Sequence, residues 1–171
     1  MTEAVGMLRD AVGSDPFWLD YLERCEADPP LQVGLHLGVF VEPFLQFILD
    51  GSKTIEARFS ERRCAPYRRV ESGDVLLLKR PGGPVVGICE VGNVWSYRVD
   101  PDSLLELRRQ FAVALCARDD AFWNEQRSAC FATLLRLQNV RKLPPLCWEK
   151  HDRRGWVVVR RKTSQMPLWS S

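Results

Sequence analysis

The sequence predicts an α+β fold in which a single mixed β-barrel carries inserted and peripheral helices. Short apolar, β-branched segments recur along the chain and are separated by glycine and proline, which is typical of small barrels. Other segments repeat apolar residues at helical spacing. The chain has 171 residues, of which 46% are hydrophobic and 27% charged, so one globular domain is expected.

Two helices are expected at the N-terminus, over residues 3–12 and 15–27. Asp15 is followed by proline, a pair that resembles an N-cap and the first residue of a helix. The run Asp28-Pro29-Pro30 ends the second helix, because proline disfavours helical backbone in the residue before it. We therefore assign residues 1–30 to a helical extension packed on the main domain.

The following elements alternate between strands and short helices. Apolar, β-branched runs predict strands at residues 35–41, 54–59, 74–79, 85–94, 132–143 and 155–160. Helical spacing predicts helices at residues 43–49, 102–117 and 120–127. Residues 31–162 are assigned to the barrel domain, and residues 163–171 to a flexible tail.

The net charge of +2 is distributed unevenly. Residues 1–50 carry 2 basic and 9 acidic side chains, whereas residues 136–171 carry 9 basic and 2 acidic ones. Residues 51–80 are also basic, with 8 basic and 4 acidic side chains. These blocks predict a local positive surface, formed by the loop 60–72 and the turn 150–154, with the acidic N-terminal helices away from it.

Several classes of protein and site are not expected. No stretch approaches the ~18 apolar residues of a transmembrane helix, and the acidic N-terminus does not resemble a secretory signal. Six cysteines without a CxxC pair and only two histidines give no support to a metal site. No cofactor fingerprint is present, so no cofactor is expected. Free thiols favour a reducing, cytoplasmic setting.

A charged signature follows the predicted helix 43–49. The segment GSKTIEAR contains Gly51, Lys53, Glu56 and Arg58 in the pattern GxKxxExR. Glycine-aspartate then opens the next strand at residues 73–74, and a later strand carries Glu90. In this order, residues 36–98 resemble the ASCH family, which is related to PUA domains. The resemblance implies a PUA-like barrel with a cleft at the signature.

The same residues have a physical logic of their own. Glycine at position 51 permits a sharp turn that brings Lys53 to the barrel mouth. Glu56 and Arg58 are two apart on a strand and share a face. Glu90 has the parity of apolar neighbours, so its carboxylate needs a cation, and Lys53 or Arg58 is expected to approach it. A structural ion-pair network that closes the barrel mouth is the alternative interpretation of this group.

The resemblance implies a module that binds RNA, another single-stranded nucleic acid, or a modified nucleoside. The candidate contacts are charged or aromatic and are Lys53, Arg58, Arg62, Arg63, Tyr67, Arg68, Arg69, Lys150, Arg153 and Arg154. Arginine binds phosphate through several fixed donors, and an aromatic ring in a basic loop can stack on a base. A protein partner for the acidic N-terminal helices is a further possibility.

An enzymatic alternative also follows from the resemblance. One group of small ASCH proteins is linked to hydrolysis of N4-acylated cytidines such as N4-acetylcytidine, with a lysine, a threonine three residues later and a glutamate on a later strand. Lys53 and Glu90 match that lysine and glutamate, whereas Glu56 stands at the threonine position. If the chain is an enzyme, these three are the candidate catalytic residues. Ribonuclease activity is a second enzymatic function that the resemblance to the family implies.

Overall fold

A computed structural model describes residues 2–27, 32–148 and 154–161 of the chain. The five helices of these residues are α1 (Thr2–Val12), α2 (Pro16–Glu26), α3 (Phe44–Leu49), α4 (Pro101–Phe111) and α5 (Asp120–Glu125). The six strands are β1 (Leu35–Val39), β2 (Ile55–Ser60), β3 (Val75–Lys79), β4 (Val85–Arg98), β5 (Phe131–Leu146) and β6 (Trp156–Arg160). None of these helices is long and apolar enough to cross a membrane.

The strands form one curled mixed sheet, a half-barrel, in the order β2-β5-β4-β3-β1-β6. Only β1 and β3 run parallel, and all other neighbours are antiparallel. The long strands β4 and β5 pair with register shifts at three places, and such bulges bend a sheet and increase its twist. The curl brings the edge strands β2 and β6 towards each other.

Two helical layers cover the outer face of the sheet. The helices α1 and α2 share one buried apolar cluster with the sheet, to which the helices contribute Leu8, Trp18 and Leu22 and the strands β1 and β3 contribute Leu37 and Leu77. The helices α4 and α5 cover the other end, where β2 and β5 contribute to a separate apolar cluster. The acidic helices α1 and α2 therefore lie on the face opposite to the interior of the half-barrel.

The interior of the half-barrel holds a third apolar cluster. Leu45 and Ile48 of α3 pack there against Leu76, Leu135 and Trp156. These five side chains are at most 3% exposed, so this cluster is a continuous core. The charged signature lies at its rim, at the start of β2.

All predicted helices and strands within the described residues are present, with shifted boundaries. The strand predicted at residues 85–94 continues to Arg98, because residues 94–98 pair with Phe131–Leu135 of β5. The helix predicted at residues 102–117 ends at Phe111. The predicted cap at Asp15 is confirmed by its side chain, which accepts a hydrogen bond from the Trp18 amide at 3.1 Å. The predicted tail at residues 163–171 lies outside the described residues.

Candidate functional site

The signature opens β2 with a chain of three charged side chains, of which Lys53 and Glu56 are buried and Arg58 is partly exposed. Gly51 has a φ of +85° and completes the turn after α3, and Lys53 beyond it is only 4% exposed. Lys53 Nζ donates to the Leu115 carbonyl at 2.9 Å and lies 3.4 Å from Glu56 Oε2. Glu56 Oε1 lies 2.8 Å from Arg58 Nε. A buried carboxylate between two cations makes the three side chains one interdependent unit.

Arg58 closes the seam between the two edges of the sheet. Its Nη2 donates to the Val39 carbonyl at 2.9 Å, and its Nη1 donates to the Gly155 carbonyl at 3.4 Å. The guanidinium carbon lies 4.7 Å from the ring centre of Phe40 and 5.4 Å from that of Trp156. A side chain of β2 therefore bridges to the ends of β1 and β6, where the described backbone forms no ladder between the edge strands.

A pocket of about 170 Å³, here called the seam pocket, opens beside this bridge. Arg58 and Ser60 of β2, residues 64–67, Thr133 of β5 and Trp156 of β6 line it. Pockets for drug-sized ligands span ~300–1,000 Å³, so the seam pocket accommodates a single ring or a small polar group.

Thr133 gives the seam pocket an unpaired polar group. It lies opposite Arg58 in the β2–β5 register and is 1% exposed. Among the described residues its hydroxyl has no hydrogen-bond partner. A buried hydroxyl without a partner costs ~1–3 kcal/mol, so a polar ligand group that reaches it would recover part of this free energy.

Exposed arginines flank, in sequence, the loop residues 64–67 that line the seam pocket. Arg62, Arg63, Arg68 and Arg69 are exposed and lie in the loop between β2 and β3, here called the basic loop (residues 61–71). Within the part of the chain that the structure describes, none of the four forms an ion pair. Arg63 and Arg68 lie 5.6 Å from aromatic ring centres, those of Phe131 and Tyr67. Guanidinium groups without an ion pair, on a loop that lines a pocket, favour an anionic ligand.

Tyr67 supports the loop rather than offering a free ring. It is 8% exposed and packs edge-on against Phe131, with ring centres 5.0 Å apart. Its ring therefore forms one wall of the seam pocket and is not available as an open stacking platform.

The second predicted basic turn is described only in part. Arg154 is exposed and precedes Gly155, whose carbonyl accepts from Arg58. Lys150 and Arg153 lie outside the described residues.

Glu90 does not join the signature, and the expected approach of Lys53 or Arg58 to it is wrong. Glu90 pairs in register with Val75, which belongs to the core under α1 and α2. Its carboxylate accepts a hydrogen bond from Asn139 Nδ2 at 2.7 Å. Burial raises the pKa of Tyr21 in α2, and the nearby charges of Cys25 and Glu90 add to that rise. The signature lies at the other face of the sheet.

A buried hydrogen-bonded chain links the seam pocket to the glycine-aspartate turn. The Trp156 indole N–H donates to His36 Nδ1 at 3.3 Å, and His36 Nε2 lies 3.0 Å from Asp74 Oδ2. Asp74 also accepts from the backbone amides of Gly34 and Glu71, at 2.6 and 2.8 Å. Burial acts to raise the pKa of Asp74, but hydrogen bonds from His36 and the two amides hold that pKa below its usual value.

The sequence analysis did not identify three of the residues that line the seam pocket. Ser60, Thr133 and Trp156 lie in three different strands that are adjacent only after the sheet curls. One signal was available for Trp156, which follows the predicted basic turn 150–154 with only Gly155 between them.

The rest of the described structure contains one larger cavity and no candidate metal site. A larger cavity of about 410 Å³ lies under α1 and α2, is lined almost wholly by apolar side chains and contains none of the predicted site residues. Within residues 2–27, 32–148 and 154–161, no group of three or more His, Cys, Asp or Glu side chains can hold a metal ion.

Comparison with known proteins identifies the fold. No family model and no curated protein matches the sequence. Among solved structures, the ASCH protein of Zymomonas mobilis superposes with a TM-score of 0.58 at 13% identity, covering 74% of this chain and 87% of that protein. A serine-to-alanine variant of the same protein gives a TM-score of 0.59, also at 13% identity, and covers 77% and 92% of the two chains.

These similarities define the class of the fold. At 13% identity the likeness to the Zymomonas mobilis ASCH protein is one of architecture. The chain has the ASCH fold, a PUA-like α+β half-barrel, and the resemblance predicted from the GxKxxExR series is confirmed at this level.

Proposed function

We propose that this chain binds single-stranded nucleic acid, with RNA as the favoured form, through the seam pocket and the basic loop. One unstacked base or its sugar enters the seam pocket, and the flanking phosphates contact the arginines of the loop. The observation that carries the proposal combines four exposed arginines with a small pocket lined by Arg58, Thr133 and Trp156. Within the described residues the four arginines form no ion pair and the Thr133 hydroxyl has no hydrogen-bond partner. This combination of phosphate contacts and a single-ring pocket is typical of single-strand recognition.

The residues divide into two roles in this proposal. Lys53 and Glu56 are buried and hold Arg58 in place, so they act on the ligand only through Arg58. Arg58 is partly exposed and lines the pocket, where it offers donors to a base edge or a phosphate. Loop arginines supply the salt-sensitive part of the affinity.

Hydrolysis of an acylated cytidine has less support. The reaction needs a carboxylate that activates water beside a group that stabilises the oxyanion. Glu90 lies on the opposite face from Lys53, and Glu56 is already held by Lys53 and Arg58. The trio Lys53, Glu56 and Glu90 therefore lacks a common reaction centre.

Fluorescence anisotropy with a fluorescein-labelled ten-nucleotide oligouridine tests the proposal. The wild type is expected to bind at 50 mM salt and to lose affinity steeply as salt rises. The double variant Arg63→Gln, Arg68→Gln removes two charges of the basic loop. If both contact phosphates, the slope of log affinity against log salt becomes shallower by ~1.4, since each single-strand phosphate contact contributes ~0.7.

The double variant Arg118→Gln, Arg127→Gln is the matched control. These two arginines are exposed, form no ion pair within the described residues and lie near α4 and α5 on the outer face. The control should bind as the wild type does. Absence of wild-type binding at 50 mM salt, or an equal loss in both variants, would contradict the proposal. Release of cytidine from N4-acetylcytidine by the wild type would favour the hydrolase reading instead.

A further inference from the structure

We infer that His36 and Asp74 are positioning residues that set the width of the seam pocket, an inference that rests on the proposed binding of a ligand there. Neither residue lines the pocket, and both are buried, at 0% and 3% exposed. Through hydrogen bonds they fix Trp156 on one wall and the basic loop on the other.

The position of the Trp156 wall depends on which ring nitrogen of His36 carries the proton. An indole N–H can only donate, so His36 Nδ1 must accept from Trp156 and cannot carry a proton. The ring proton is therefore assigned to Nε2, which donates to Asp74 Oδ2 at 3.0 Å. Asp74 thus selects the histidine tautomer that holds the Trp156 ring in the pocket wall.

The second wall depends on the same carboxylate. Asp74 Oδ2 also accepts from the Glu71 amide, at the end of the basic loop. That loop contributes residues 64–67 to the seam pocket. One buried oxygen atom therefore anchors both walls, and Asp74 Oδ1 ties the pair to β1 through the Gly34 amide.

An asparagine at position 74 cannot satisfy all three donors. Its amide has one oxygen and one NH₂ group, so either the Gly34 amide or the His36–Glu71 pair faces a donor. If the NH₂ group faces His36, the imidazole must accept there and carry its proton on Nδ1, which then opposes the Trp156 N–H. If the NH₂ group instead faces the Gly34 amide, which lies 2.6 Å from Asp74 Oδ1, the two donors repel, so the side chain must shift and its contact with His36 Nε2 changes as well. Either orientation should therefore change the environment of the Trp156 N–H, although Asp74 does not contact Trp156.

The test follows the Trp156 indole N–H signal by NMR in ¹⁵N-labelled full-length protein. The signal is assigned by its loss in Trp156→Phe. Asp74→Asn is expected to move this signal and to weaken oligouridine binding by about 3- to 10-fold, the effect of one net hydrogen bond. If Asp74→Asn does not fold, His36→Asn replaces it, because its side-chain oxygen can still accept from Trp156 while the link to Asp74 is broken. For that variant we expect binding to weaken, because the Trp156 wall is no longer tied to Asp74, and wild-type affinity would overturn the inference.

Asp100→Asn is the matched control. Asp100 caps α4 by accepting from the Ser103 amide at 2.8 Å, so this change also weakens a hydrogen-bonded carboxylate, but at a remote site. It should leave both the Trp156 signal and the affinity unchanged. An unmoved Trp156 signal in Asp74→Asn, or wild-type affinity in spite of a moved signal, would overturn the inference. If the wild type binds no oligonucleotide, the proposed function fails, and the Trp156 signal alone decides whether Asp74 positions this wall.

Discussion

Replacement of Glu56 by glutamine should destabilise the fold by about 3 kcal/mol. The carboxylate lies between Lys53 and Arg58, with side chains of Lys53 and Glu56 only 4% and 8% exposed. Breaking a buried ion pair by removing one partner costs ~3–5 kcal/mol, because the remaining charge is left uncompensated. We expect the lower end of this range, because Arg58 keeps hydrogen bonds to the Val39 and Gly155 carbonyls.

Urea denaturation followed by circular dichroism measures this loss. The double variant Lys53→Met, Glu56→Gln should recover much of it, because the least exposed cation leaves together with its counter-ion. The exposed pair Asp20–Arg24, with side chains 69% and 57% exposed, is the control, and Asp20→Asn should cost under ~1 kcal/mol. If Glu56→Gln costs no more than Asp20→Asn, the buried-network interpretation of the signature is refuted.

Two further predictions concern pH and backbone conformation. The pKa of Asp74 is lower in the folded protein, so its contribution to the unfolding free energy is present above about pH 3.8 and is lost as the pH falls through the folded-state pKa. In urea titrations the difference in unfolding free energy between wild type and Asp74→Asn should therefore narrow from pH 7 to pH 3. A constant difference would contradict a lowered pKa of Asp74. Gly51→Ala should lower the unfolding free energy by ~1–2 kcal/mol through its positive φ alone, since a Cβ there meets no heavy atom within 4 Å. Gly6→Ala in α1 should instead stabilise the protein by ~0.5–1 kcal/mol, because glycine disfavours a helix interior. Equal effects of the two substitutions on urea denaturation would refute this reasoning.

Local patterns predicted the elements well, because their causes are local. The turn at Gly51, the cap at Asp15 and the shared face of Glu56 and Arg58 each depend on a few consecutive residues. Boundaries were less predictable where pairing decided them. β4 runs on to Arg98 because β5 offers it a partner, and no propensity in residues 95–98 indicates that.

The position of Glu90 shows why parity alone did not find the site. The sequence predicted that Glu90 shares a face with Val86, Ile88 and Val94, and this holds only for Ile88. Val86 and Val94 belong to the interior cluster, because the register shifts along β4 interrupt the alternation. Which face meets the signature depends on strand order. β2 lies at the sheet edge, two positions from β4, and presents Glu56 and Arg58 to the interior of the half-barrel. A strand sequence does not contain that order.

The sequence by itself determined the α+β class, the helical and strand segments, the signature and the uneven charge. These follow from periodicity, turn residues and composition, which act over short distances along the chain. Only the tertiary structure decided the seam pocket, where Arg58, Thr133 and Trp156 meet from strands far apart in sequence. The physical reason is that the curl of the sheet depends on bulges and core packing summed over all strands, and this curl sets which side chains face one another across the seam.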